Sequence, residues 1–157
     1  MLNHEVYFIF FELETLFPQT KQLFSGDILE HVMGFISDNM ENATWQKREA
    51  AIMAFGSVLE GPPPEKLKPY IDTAMPVIIT RLSDESVAVR DTAAWFVGRA
   101  CDIVPEAAIN ENYFERLLQA MVQGLQDQPR VAQNMCWAFT SLSDAAYDQA
   151  AAAMTAK

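Results

Sequence analysis

The sequence predicts an all-α solenoid of about three stacked helix pairs, preceded by part of a further repeat. Three observations carry that prediction. The first is an internal repeat: KREAAIMAFGSVLEG, VRDTAAWFVGRACDI and VAQNMCWAFTSLSDA begin at Lys47, Val89 and Val131, each 42 residues after the one before, and align without gaps. The second is the columns of that alignment, in which Ile52, Ala94 and Cys136 correspond, as do Phe55, Val97 and Phe139, and Val58, Ala100 and Leu142. These small and apolar positions are spaced as one face of a helix. The third is the turn punctuation that divides each period into two helices.

A period of about 40 to 47 residues built from helix pairs marks a HEAT or armadillo array, in which each repeat buries its apolar face by stacking on its neighbours. The chain opens on residues 5 to 17. There Val6, Ile9, Phe10, Leu13, Leu16 and Phe17 fall one period before the core positions of the first clear repeat, so the segment reads as the second helix of a partial preceding repeat. Tyr7 and Phe11 make its other side apolar too. First helices are expected at residues 28 to 40, 66 to 82 and 112 to 126, and second helices at 45 to 60, 86 to 104 and 130 to 147. Gly61-Pro62-Pro63-Pro64 stops one helix, Ser83-Asp84-Glu85 opens the next, and Asp127-Gln128-Pro129 separates the last pair. Pro69 is placed near the first turn of its helix. Pro76 is expected to kink that helix, because proline lacks a backbone donor and its ring crowds the preceding turn. The repeats are bounded at 26 to 61, 62 to 104 and 105 to 148, with 1 to 25 a partial repeat or divergent segment and 149 to 157 a tail. Solenoids need polar terminal repeats, and neither end supplies one, so the chain reads as an internal piece of a longer array.

Composition agrees and limits the function. Of 157 residues, 50% are hydrophobic and 20% charged, which places the chain among core-forming sequences rather than disordered ones. A formal net charge of -10 and a pI near 4.5 disfavour sequence-independent binding to nucleic acid or anionic lipid, and point to a basic partner. Two cysteines, with no basic segment ahead of the apolar start and no small-residue cleavage pattern, argue for a reducing compartment. The longest apolar run, from Val6 to Phe11, is far short of the roughly 20 residues that cross a bilayer, so no membrane insertion is expected.

Several stretches resemble a known family. Residues 75 to 99, MPVIITRLSDESVAVRDTAAWFVGR, follow the HEAT pattern of an apolar first helix, Asp84, Val89-Arg90 and a small-residue helix. NATWQKREAAIMAFGSVLEGP, VAVRDTAAWFVGR, PEAAIN and RVAQNMCWAF resemble the middle repeats of the importin-β (karyopherin-β) family of nuclear import receptors, from about Gly26 to Tyr147. The resemblance implies a right-handed HEAT-repeat solenoid, residence in the cytoplasm, nucleus and nuclear pore, and no enzymatic activity or cofactor. It also implies that Ran GTPase and phenylalanine-glycine nucleoporins bind the full-length array.

The faces of the second helices suggest where a partner binds. At about 100° per residue, placing Phe55 at the core centre puts Arg48, Ala51, Ile52, Val58 and Leu59 on its side and Glu49, Met53 and Glu60 opposite. One and two repeats later the far side reads Asp91, Trp95, Asp102 and then Gln133, Trp137, Asp144, beside Gly56, Gly98 and Thr140. Stacking turns these into an acidic row (Glu60, Asp102, Asp144), a mostly acidic row (Glu49, Asp91, Gln133) and, between them, Met53, Trp95 and Trp137. Tryptophans flanked by carboxylates suit Lys or Arg: an indole face attracts a cation by about 0.5 to 2 kcal/mol, and the aliphatic stem packs on the ring. The other reading of Trp95 and Trp137 is packing between neighbouring repeats. In importin-β the second helices line the concave surface and bind basic segments, such as the importin-β-binding domain of importin-α. That likeness favours a site for basic nuclear localisation signals or importin-α at Glu49, Met53, Glu60, Asp91, Trp95, Asp102, Trp137 and Asp144.

Other candidates are structural. Arg48 and Arg90, six residues after Asn42 and Asp84, resemble the HEAT loop ladder, in which the basic residue bonds a polar loop group of its own or an adjacent repeat. The third repeat has Gln126 and Ala132 instead, so the ladder is expected to weaken there. Cys101 and Cys136 fall on core-side columns, Lys66 and Lys68 in a solvated linker, and His4 and His31 stand alone without metal-ligand spacing. There is no phosphate loop, nucleophile elbow or HExxH motif, so no catalytic residue is named. Ile78, Ile79 and Leu118 on the first helices read as core rather than as a nucleoporin pocket. A scaffold that holds the subunits of a complex such as a phosphatase is the competing function; it would not need the tryptophan and acid rows.

Overall fold

The computed structural model describes residues 27 to 155, with side chains from Val32 onward. The expected helix at residues 5 to 17, His4 and the side chain of His31 lie outside those residues. Seven helices and no strand occur among the described residues: α1 (Asp27–Asn39), α2 (Trp45–Val58), α3 (Pro64–Arg81), α4 (Val87–Ile103), α5 (Pro105–Ala108), α6 (Phe114–Gly124) and α7 (Pro129–Thr155). The three expected pairs are α1 with α2, α3 with α4 and α6 with α7. The second helices stack in series, α2 on α4 and α4 on α7, with α4 at the centre.

Local chemistry explains where the helices begin. Asn42 Oδ1 accepts the Thr44 N–H at 3.0 Å and Asp84 Oδ1 accepts the Ser86 N–H at 3.0 Å, so an Asx turn leads into α2 and another into α4. Pro64 stands at the first turn of α3, where its missing N–H costs nothing. The helix then runs to Arg81 with both Pro69 and Pro76 inside it. Its buried stripe is Leu67, Ile71, Ala74, Met75, Ile78 and Ile79. Both prolines lie off that stripe, Pro69 exposed and Pro76 half-buried, so their bulk is not forced into the core. Lys66 and Lys68 belong to α3 rather than to a linker, and Lys68 pairs with Asp72 one turn on.

The loops are tied by arginines. Arg48 donates to the Asn42 and Ala43 carbonyls of its own loop at 2.8 and 3.1 Å. Its other nitrogens grip Asp84 of the next repeat, Nε to Oδ2 at 2.8 Å and Nη2 to Oδ1 at 2.7 Å. Arg90 does the same one repeat later, donating to the Asp84 carbonyl at 2.8 Å and gripping Asp127 through Nε and Nη2. The acceptor is Asp127, one residue past the Gln126 register, so the rung expected to weaken is complete. The residue one repeat beyond Arg90 is Ala132, which has no guanidinium to extend the series.

The core lies between the two helix layers and continues from pair to pair. Phe55 and Phe96 meet with ring centroids 4.9 Å apart, and Ile52, Leu59, Ile71, Met75, Val97, Leu117, Met121 and Met135 are buried. Cys101 is buried as expected, and burial pushes its thiol up to about 12. Cys136 is exposed, a correction to its core assignment. Ile52 and Ala94 lie on second helices covered by the next one, whereas no described helix follows α7. The short α5 was not expected. Tyr113 secures it by bonding the Ala107 carbonyl and Asp72 of α3. Residues 149 to 155, expected as a tail, continue α7, because the Ala150 to Ala153 run has the highest helix propensity and Thr155 bonds back to Ala151 and Ala152.

Two tests follow from the ladder. Arg48→Ala or Asp84→Ala leaves a buried charge without its partner and is expected to lower the unfolding free energy by about 3 kcal/mol, measured by urea denaturation. Burial alone would raise the Asp84 carboxyl, but hydrogen bonds from Arg48 and the Ser86 N–H outweigh it and hold the group below the usual carboxylate range. The Arg90 guanidinium likewise lowers Asp127. Their folded-state values lie below the unfolded ones, so this stability is present above about pH 4 and lost as the pH falls through the folded values. Thermal melts should show Tm dropping in that acid range, with a shallower drop for Asp127→Asn.

Candidate peptide-binding surface

The series α2, α4, α7 places both tryptophans in the seams between successive repeats. Trp95 of α4 lies against Gly56 of α2, and Trp137 of α7 lies against Gly98 of α4. A Cβ on Gly56 would fall 2.7 Å from Trp95 Cη2, and one on Gly98 would fall 2.6 Å from Trp137 Cζ3. Only glycine admits that approach. Each indole is half-buried, seated in part on the preceding repeat and in part open to solvent. Of the two placements open at the sequence level, the packed one is therefore realised with a solvent rim. Met53, at the corresponding place on α2, is half-buried as well.

The two rows of carboxylates have different fates. Glu49 and Asp91, expected on the open face, are only 5% and 8% exposed. The close glycine-mediated stacking leaves the early turns of the second helices within the seam. Asp91 Oδ1 accepts Asn134 Nδ2 at 2.7 Å and Asp91 Oδ2 meets Arg130 Nη2 at 2.6 Å, both from α7. Gln133, third in that row, is exposed. The other row is open: Glu60, Asp102 and Asp144 are all exposed. Glu60 just past α2 and Asp102 in the last turn of α4 stand at the negative ends of helix dipoles, where a carboxylate is disfavoured and a cation is welcome.

One of these positions already has its cation. Arg99, one turn after Trp95, sets its guanidinium carbon 5.0 Å from that ring's centroid, pairs with Glu60, and donates from Nε to the Gly56 carbonyl at 3.0 Å. Sequence reasoning passed over Arg99, although its i,i+4 spacing from Trp95 was a usable signal. Asn134 and Arg130 carry no comparable signal, because their partner Asp91 lies one repeat away. No group of three His, Cys, Asp or Glu placed to hold a metal occurs among the described residues, and none of their helices is long and apolar enough to cross a membrane.

Comparison with known proteins gives a consistent set of relatives. The family model for the HEAT-like repeat matches residues 45–100. Importin subunit beta-1 of Schizosaccharomyces pombe is 42% identical over 125 residues, covering 77% of this chain and 14% of that protein. Among solved structures, Kap95p bound to RanGDP superposes with a TM-score of 0.76 at 37% identity, covering 79% of this chain and 14% of the other. The Kap95:Nup1 complex gives a TM-score of 0.73 at 38% identity, over 76% of this chain and 14% of the other. The chain thus spans about one seventh of the length of these relatives.

The seam makes a prediction of unusual sign. Gly56 has no positive φ, so alanine fits its backbone, and Gly→Ala inside a helix ordinarily stabilises by about 0.5 to 1 kcal/mol. Here the added methyl overlaps Trp95, whose ring also carries the tethered Arg99 guanidinium. Gly56→Ala is expected instead to destabilise by about 1 to 3 kcal/mol in urea denaturation and to shift tryptophan emission to the red.

Proposed function

Because this chain belongs to the importin-β family, of whose HEAT array it carries a stretch, we propose that it is part of a nuclear import receptor and binds basic peptides along its second helices. The ligands in this proposal are basic nuclear localisation signals or the adaptor importin-α. They dock along the face that carries Trp95, Trp137 and the exposed carboxylates Glu60, Asp102 and Asp144, with Met53 extending the apolar floor. Glu49 and Asp91 act from inside the seam: they add negative potential but do not touch the ligand. The array works in the cytoplasm, the nucleus and the nuclear pore, with Ran and nucleoporins among its partners, as the solved relatives bound to RanGDP and Nup1 suggest.

The observation that carries this reading is the pairing of a half-open indole with an exposed acid on successive repeats, in a chain of net charge -10. A guanidinium or ammonium on such an indole is attracted by the ring's quadrupole, its stem packs on the ring, and its head reaches the carboxylate. Long-range attraction between an acidic solenoid and a basic peptide speeds encounter and falls with salt. A phosphate backbone or anionic lipid would be repelled by the same field.

An arginine- and lysine-rich peptide titrated into the chain should bind at low salt and weaken as salt is added. Trp137→Ala and Asp102→Asn should each weaken it about tenfold, close to 1.4 kcal/mol. Failure to bind at low salt, or binding indifferent to salt and to both substitutions, overturns the proposal.

A further inference from the structure

Resting on the peptide-binding reading above, we infer that Arg99 is a resident cation that closes the Trp95 side of the surface and so directs the ligand's cations to Trp137. The two tryptophans stand at equivalent places in successive repeats, but their surroundings differ in one residue that matters. At Trp95 the ring packs against Gly56 and the Arg99 guanidinium lies over it, its carbon 5.0 Å from the ring centroid. That guanidinium also has the Glu60 carboxylate and the Gly56 carbonyl, and the arginine side chain is only 14% exposed. Gly56 is near the end of α2, where a carbonyl lacks a full helical partner and its backbone contact from Leu59 is long, 3.4 Å. A cation there satisfies both the orphan acceptor and the negative helix end.

One repeat later the counterparts of Trp95 and Glu60 are Trp137 and Asp102, while the counterpart of Arg99 is Ser141, buried and uncharged. Among the described residues, Arg99 is the one cation stacked on a tryptophan, and none pairs with Asp102. An incoming guanidinium at Trp95 must displace a group already tethered by its own backbone and held by three partners, whereas at Trp137 it displaces none. Arg99 thereby breaks the equivalence of two repeats and sets the register in which a basic peptide lies. The chemistry recognised is a single Arg or Lys side chain of the peptide, seated on Trp137 with its head toward Asp102.

The test uses the full chain labelled with fluorotryptophan, which gives one fluorine resonance for each tryptophan, assigned by Trp→Phe substitution. Adding an arginine-rich peptide to the unaltered chain should shift the Trp137 resonance and leave that of Trp95 in place. Arg99→Ser, which installs the residue found one repeat on, should make Trp95 respond as well and tighten binding about three- to tenfold. Arg99→Gln keeps most of the side-chain volume and a donor for the Gly56 carbonyl, and serves if the serine variant does not fold. The inference is overturned if Trp95 responds in the unaltered chain. It is also overturned if Trp137 responds but neither Arg99 variant brings in Trp95 or gains affinity, an outcome that leaves the peptide-binding proposal standing. Absence of any binding to the unaltered chain overturns both.

Discussion

The bidentate grip of Arg48 on Asp84, repeated by Arg90 on Asp127, is the interaction on which the rest of the structure depends. Each guanidinium is bound on one side by the carbonyls of its own loop and on the other by the carboxylate of the next. A planar group with five fixed donors has little freedom once so engaged. The rung therefore sets both the distance and the rotation between one repeat and its successor. It stands near the start of each second helix, so the remaining turns of α2, α4 and α7 are carried into contact along their length.

That contact is close enough to decide which side chains reach solvent. Where α4 crosses α2 and α7 crosses α4, glycine lets an indole lie on the neighbouring backbone. The same closeness withdraws Glu49 and Asp91 from water and obliges Asp91 to find Asn134 and Arg130. A buried carboxylate without such partners would be costly to keep charged. Beyond the seam, Glu60, Asp102 and Asp144 stay exposed. Arg99 neutralises the first of the three and covers the first tryptophan, so the surface is graded from one repeat to the next.

Much of this was legible in the linear chain because a repeat protein writes its structure once per period. The second helices, the arginine positions and the Gly56 and Gly98 columns follow from a gap-free 42-residue alignment, and the first helices from apolar spacing and turn residues. The failures share a cause. Asp127 lies one residue out of register, but the loop can present it to Arg90 all the same, since a flexible turn absorbs a shift that a helix could not. Cys136 matched a core column, yet burial there needs a covering helix that no described residue supplies. Glu49 and Asp91 were expected on an open face and are buried, because a helical wheel about one axis contains no neighbour and cannot tell a seam from an open face.

Sequence alone determined the class of this protein: helical periodicity and constant spacing oblige the chain to bury its apolar stripes by stacking, and the resemblance in its second helices named the family. Acid excess likewise determined the sign of the field the chain presents. Only the tertiary structure decided which acids stay exposed and how far each indole is covered. Exposure is a property of two surfaces meeting, and residues as far apart as Arg99 and Gly56, or Asn134 and Asp91, meet through the packing of one repeat on the next.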